Sequence, residues 1–153
     1  MKVKDIMTTD VKTCTPDTTV AEAAHLMWDG DCGFLPVVDD GELVGVVTDR
    51  DLYIALGTKN ERASVLKVGA VATTKVATCV AEDDVNAALA TIKQARVRRL
   101  PVVGYGGSLL GILSVNDIIL AAGTDKGVSN KAVVETLQAI CTHHHPAPHV
   151  VAA

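Results

Sequence analysis

A chain of 153 residues is the size of one domain or of two small lobes sharing a core, and 48% hydrophobic residues suffice to build that core. Aromatics make up only 3%, so the interior falls to Val, Ala, Leu and Ile in tight helix-on-sheet packing. A net charge of −4 argues against a nucleic-acid partner, and no window holds the roughly 18 uncharged apolar residues of a membrane span.

The opening "MKVKDIMTTD" lacks the apolar run of a signal peptide, which predicts a soluble cytoplasmic protein. Val20, Ala23, Ala24 and Met27 then fall at i, i+3, i+4 and i+7, the stripe of an amphipathic helix. Asp17, Thr18 or Thr19 caps its start, and Thr19 with Glu22 fits a capping box. "FLPVVDDGELVGVVT" predicts a strand, a turn on Asp40-Gly41 and a second strand. "DRDLYIAL" reads as a helix that stops at Gly57, followed by a polar linker to Lys67.

A third helix is striped by Val85, Ala88, Leu89 and Ile92. The strands "LPVVG" and "LLGILS" follow, then the helix "VNDIILAA" ending at Gly123. Pro36 and Pro101 stand near the start of their strands, where a missing donor is tolerated. "TDKGVSN" is a loop, "KAVVETLQAIC" a further helix through Val133, Leu137 and Ile140, and "THHHPAPHVVAA" a loose tail. Trp28, the only tryptophan, is expected in packing, and His25 on the surface.

The two halves are one unit written twice. "VKDIMTTDVKTC" lies over "VGAVATTKVATC" at an offset of about 65 positions, and "FLPVV" meets "RLPVV". One extra residue in "GYGGS" shifts the register, so that Gly45 meets Gly111. The expected organisation is α/β: one repeat over 1–57, a linker over 58–67, a second repeat over 68–123, and a C-terminal helix and tail over 124–153. Each repeat reads β-α-β-β-α.

"GVVTDRD", Gly45 to Asp51, and "GILSVND", Gly111 to Asp117, carry a hydroxyl and a carboxylate three residues apart, each just after a strand. Two readings stand side by side. Thr48 with Asp51, and Ser114 with Asp117, can each close a capping box at a helix start. Alternatively, free amides and the helix dipole at such a junction favour phosphate, while an ionised carboxylate can take both hydroxyl donors of a ribose. The two can coexist if the hydroxyl exchanges an amide for a phosphate oxygen.

Paired "LPVV", a turn, "LVGVVTDRDL" and "LLGILSVNDI" resemble the tandem cystathionine β-synthase domain, the CBS pair or Bateman module, of the stand-alone bacterial or archaeal kind. The resemblance covers about Met1 to Gly123. It implies two β-α-β-β-α repeats related by a pseudo-twofold axis, two clefts, a regulatory role as a sensor of an adenine nucleotide (AMP, ADP or ATP) or of S-adenosylmethionine, and a homodimer. No cofactor is required on this reading. The chain shows no effector domain, so a separate effector protein is expected to read the ligand state.

The resemblance places the adenine pocket in the repeat opposite the acid. One site would join Thr48 and Asp51 to Val80, Val85, Val97, Arg98, Arg99 and Pro101, with Arg98, Arg99 or Arg50 neutralising phosphate. The mirror site would join Ser114, Asn116 and Asp117 to Thr15, Val20, Cys32, Gly33, Phe34 and Pro36. Gly33-Phe34 replaces Arg98-Arg99 there, and Val115-Asn116 replaces Asp49-Arg50. The mirror site is therefore expected to be weaker, or to prefer a ligand with less phosphate.

Other classes have less to stand on. No catalytic triad, HExxH or Walker loop occurs, so no enzyme is expected. Cys141, His143 and His145 are weak candidates for zinc, and a redox role would fall to the cysteines. Cys14, Cys32, Cys79 and Cys141 show no CxxC pair and read as buried thiols, with Cys14 and Cys79 as small core residues. A ligand-free scaffold would have no need of an acid in both clefts.

Overall fold

The computed structural model describes residues 1–122 and 128–142. The proposed helix stop at Gly123 and the candidate metal ligands His143 and His145 lie outside the described residues.

In the first half, α1 (Val20–Asp29) starts on the expected capping box. Thr19 Oγ1 accepts from the Glu22 amide at 3.2 Å, and the Glu22 carboxylate accepts from the Thr19 amide at 2.7 Å. Val20, Ala23 and Met27 are buried, while Ala24 is exposed. β1 (Phe34–Asp39) and β2 (Glu42–Thr48) form an antiparallel hairpin. Its turn puts both Asp40 and Gly41 at positive φ, as a tight two-residue loop requires. α2 (Asp49–Thr58) runs through Gly57. Thr58 Oγ1 donates to the Ile54 carbonyl at 2.7 Å, and the chain turns left-handed only at Asn60.

The second half repeats the scheme with β3 (Cys79–Val80), α3 (Val85–Ala95), β4 (Arg99–Val103), β5 (Leu109–Ser114) and α4 (Val115–Ala121). Both hairpins carry a bulge at equivalent points, which pushes Val44 and Leu110 outward. The leading strand of each repeat is short. β3 pairs in parallel with β4 over two residues, and its counterpart shrinks to a single bridge between Cys14 and Val37. α5 (Asn130–Cys141) packs on α3, with Val133 and Thr136 buried and Lys93 paired to Glu135 at 3.5 Å.

The halves exchange their leading segments. The amides of Val3 and Lys4 donate to the carbonyls of Asp83 and Ala81, and those of Val68 and Gly69 donate to Thr18 and Pro16. Val3 consequently lies in the core around Ile92, Leu100 and Leu113, while Leu66 and Val68 lie in the core around Val20, Leu35 and Val47. Thr8 exchanges two backbone hydrogen bonds with Ile112, and Thr73 does the same with Val46, all at 2.9 Å. Each leader thus adds to the edge of the other lobe's sheet. No described helix is long and apolar enough to cross a membrane.

Candidate ligand site

Both hydroxyl-acid motifs close capping boxes at the starts of α2 and α4. Asp51 Oδ2 accepts from the Thr48 amide at 2.9 Å and from Thr48 Oγ1 at 2.7 Å, while the Asp51 amide donates to Thr48 Oγ1 at 3.2 Å. The Ser114–Asp117 box has the same bonds at 2.7, 2.6 and 3.1 Å. Each box uses one carboxylate oxygen. Among the described residues the other oxygen accepts nothing, so capping does not exhaust either acid.

Beside Asp51 lies a cavity of about 590 Å³ between the lobes, within the usual range for small-molecule sites. Thr48, Arg50 and Asp51 face it from the first repeat, and Val97, Arg98, Arg99 and Pro101 from the second. Two expected residues are elsewhere. Val85 is wholly buried as part of the α3 stripe, and Val80 is exposed away from the cavity. Sequence reasoning missed Thr73, Lys75 and Val76, which arrive on the exchanged leader, and Ile140, which arrives on α5. The one local signal was "TTK" standing where the first repeat has "TTD".

Glycine makes the leader's approach possible. A Cβ at Gly45 would stand 3.0 Å from the Thr73 carbonyl oxygen, and one at Gly111 only 2.5 Å from that of Thr8. The glycine at the head of each repeated motif thus leaves room for the segment that walls the cavity.

The mirror cavity is smaller, about 220 Å³. It gathers Ser114, Asp117, Cys32 and Phe34 with Thr8, Asp10 and Lys12 of the first leader. The other expected members are not on its wall. Val20 and Pro36 are buried, Val20 in the α1 stripe and Pro36 in β1, where its carbonyl accepts from the Cys14 amide. Thr15 is exposed at a turn, Asn116 faces the end of α5, and Gly33 lines the larger cavity. Phe34 and Arg99 wall both cavities.

Charge separates the two sites. Arg50, Lys75, Arg96, Arg98 and Arg99 line the larger one, against the acids Asp49 and Asp51. Lys12 and Arg99 balance Asp10 and Asp117 in the smaller one. Across the repeat, Lys75 corresponds to Asp10, Arg98 to Gly33 and Arg50 to Asn116. Among the described residues Arg50, Lys75, Arg98 and Arg99 form no ion pair, so their charge is available to an anion. Val46, Val76, Val97, Pro101 and Ile140 supply apolar wall for a flat ring.

The expectation of four buried thiols holds for Cys14 and Cys79 only; Cys32 is half-buried beside the smaller cavity, and Cys141 is exposed at the end of α5. Burial pushes the Cys14 and Cys79 thiols up to about 11, and the two lie in separate cores. No group of His, Cys, Asp or Glu suited to a metal ion occurs among the described residues. Trp28, expected in packing, is 84% exposed.

The CBS domain family model matches residues 3–58 and again 68–123. The CBS domain-containing protein YhcV of Bacillus subtilis (strain 168) is 36% identical over 116 residues, 76% of this chain and 81% of that protein. Among solved structures, CBSX2 in complex with AMP is 31% identical with a TM-score of 0.69, covering 78% of this chain and 94% of that one. The CBS domain pair of protein MJ0100, in complex with 5'-methylthioadenosine and S-adenosyl-L-methionine, is 26% identical with a TM-score of 0.70 and the same coverages.

Proposed function

The chain belongs to the CBS domain family as a tandem pair, and from that premise we propose that it is a regulatory module that binds an adenine nucleotide in the larger cavity. The observation that carries this reading is the convergence of Arg50, Lys75, Arg98 and Arg99, none of them ion-paired among the described residues, on the cavity beside Thr48 and Asp51. Guanidinium forks and an ammonium suit a di- or triphosphate. The unused oxygen of Asp51 suits a ribose, and the aliphatic wall suits a purine. AMP bound to CBSX2, and adenosyl compounds bound to the MJ0100 pair, support the adenosyl class.

The smaller cavity, with balanced charge, is the weaker site or takes a ligand with less phosphate. Signalling follows from differential binding: the ligand stabilises the arrangement of lobes that closes on it, and a separate partner reads that arrangement. A homodimer is part of this reading, as is a role in regulation rather than catalysis.

Calorimetric titration of nucleotide-free protein with ATP, ADP, AMP and S-adenosylmethionine tests the proposal. One dominant site is expected, with affinity rising with phosphate number and falling as salt screens the cations. A ligand at about 100 times its dissociation constant adds roughly 2.7 kcal/mol, which also shows as a rise in melting temperature. Failure of every adenosyl compound to bind overturns the reading.

A further inference from the structure

The last turn of α5 stands where the larger cavity meets the start of α4. Ile140 lines that cavity, and it also lines a separate cleft of about 280 Å³ between α5 and α4. Arg98 and Arg99 do the same, so two candidate phosphate cations lie alongside the end of α5. No residue of α5 lines the smaller cavity. The helix follows the second matched repeat, which ends at residue 123, and the first half has no counterpart to it: after α2 the chain passes to the second leader without another α-helix. Side-chain packing holds α5 in place. Val133 and Thr136 are buried, with Leu137 and Ile140 partly buried against the second core. Lys93 and Glu135 are each about half exposed, so their ion pair contributes little. Among the described residues no hydrogen bond joins α5 to another element; Thr136 Oγ1 donates to the Ala132 carbonyl and Thr142 Oγ1 to that of Gln138, both along its own segment. A helix held this way opens at lower cost than a strand tied into a ladder.

We propose that α5 is a latch on the larger cavity, and that Ile140 is the residue through which it meets the bound molecule. The latch rests on the reading of that cavity as a nucleotide site. The docked helix supplies Ile140 to the apolar wall and the undocked helix does not, so a nucleotide lying against that wall binds the docked state more tightly. By reciprocity, occupancy holds α5 down by the same factor by which docked α5 tightens the nucleotide. The Ile140 contact is apolar and adds equally to AMP, ADP and ATP, whereas Arg98 and Arg99 set the dependence on phosphate number. A ligand in the smaller cavity touches no part of α5 and leaves it unmoved. The larger site thereby signals through a helix that the smaller one does not reach, and the state of α5 is what a separate partner reads.

Hydrogen exchange of the full chain, with and without saturating ATP, reads the latch directly. ATP is expected to slow the amides of Val134 to Ile140 by roughly fivefold or more. By calorimetry, Ile140→Ala is expected to weaken ATP and AMP alike by roughly tenfold, with the ratio between them unchanged, and Ile140→Leu to restore most of the loss. At equal occupancy the Ile140→Ala protein is expected to lose the protection of α5 that ATP gives the parent. Ile140 is only partly buried, so the truncation keeps the fold, which circular dichroism checks, and the exchange measurement on the parent protein needs no variant. The latch is overturned by ATP that binds yet leaves α5 exchange unchanged, or by an Ile140→Ala protein that holds ATP and AMP as tightly as the parent. Failure of every adenosyl compound to bind overturns the nucleotide reading and the latch with it.

Discussion

Phe34 and Arg99 occupy the same position in the two repeats, and the Arg99 guanidinium carbon lies 5.7 Å from the centroid of the Phe34 ring. Equivalent positions of the two repeats thus meet as a cation and a π face. Both also wall both cavities, so one contact sets the boundary between two candidate sites.

Arg99→Ala removes that contact together with one cation of the larger cavity. Such a pair contributes about 0.5–1 kcal/mol when partly exposed. Urea denaturation should show a loss of that size, and calorimetry a weaker ATP than AMP response relative to the parent protein. Phe34→Arg sets two guanidinium groups against each other and should destabilise more than Arg99→Ala does.

The two acids separate capping from binding. Asp51→Ala and Asp117→Ala each remove the carboxylate side of a capping box and leave the N-cap hydroxyl in place, at a cost of about 0.5–1.5 kcal/mol. Both variants should fold with similarly lowered melting temperatures. Only Asp51→Ala should abolish nucleotide binding at the larger cavity. Equal loss of binding in the two variants contradicts the assignment of that cavity.

Gly111→Ala puts a Cβ 2.5 Å from the Thr8 carbonyl oxygen, a distance that forces the leader to move. Gly45→Ala meets Thr73 at 3.0 Å, where a small shift relieves the contact. Overpacking of this kind costs typically 1–3 kcal/mol. Thermal melts should rank Gly111→Ala as the more damaging. Hydrogen exchange should show the amide of Thr8 losing protection first.

Cys14 and Cys79 ionise near pH 11 in the folded chain, against 9.0 for an ordinary thiol, because burial disfavours the thiolate. The unfolded chain therefore holds fewer protons between pH 9 and 11, and stability falls as pH rises through that window. Denaturant midpoints measured across it should fall, and Cys14→Ala with Cys79→Ala should flatten the slope. Alkylation at pH 8 should label Cys141 readily and leave Cys14 and Cys79 untouched.

Much of this protein is local and therefore readable along the chain. The α3 stripe, the turn on Asp40-Gly41 and the three capping boxes at Thr19, Thr48 and Ser114 depend on residues within seven positions of one another and formed as the pattern required, while the α1 stripe formed except at Ala24, which is exposed. Gly57 is the instructive miss. A glycine ends a helix only where the chain takes the left-handed turn, and Asn60 takes it here. For the candidate site, the family resemblance, carried over by position, grouped Thr48, Arg50 and Asp51 with Val97, Arg98, Arg99 and Pro101, and these seven line one cavity.

Other features belong to the folded molecule only. Val20 and Val85 carry the same apolar character as Val97, and nothing along the chain says which valine faces a core and which a cavity. Lys75 reaches the larger cavity because the leader crosses to the opposite lobe, and Ile140 because α5 packs on α3. The motifs depend on hydrogen bonds between near neighbours, which a short sequence specifies. The cavity, its charge and the seat of α5 arise where segments far apart in the chain compete to bury the same surface, and only the packed lobes settle that competition.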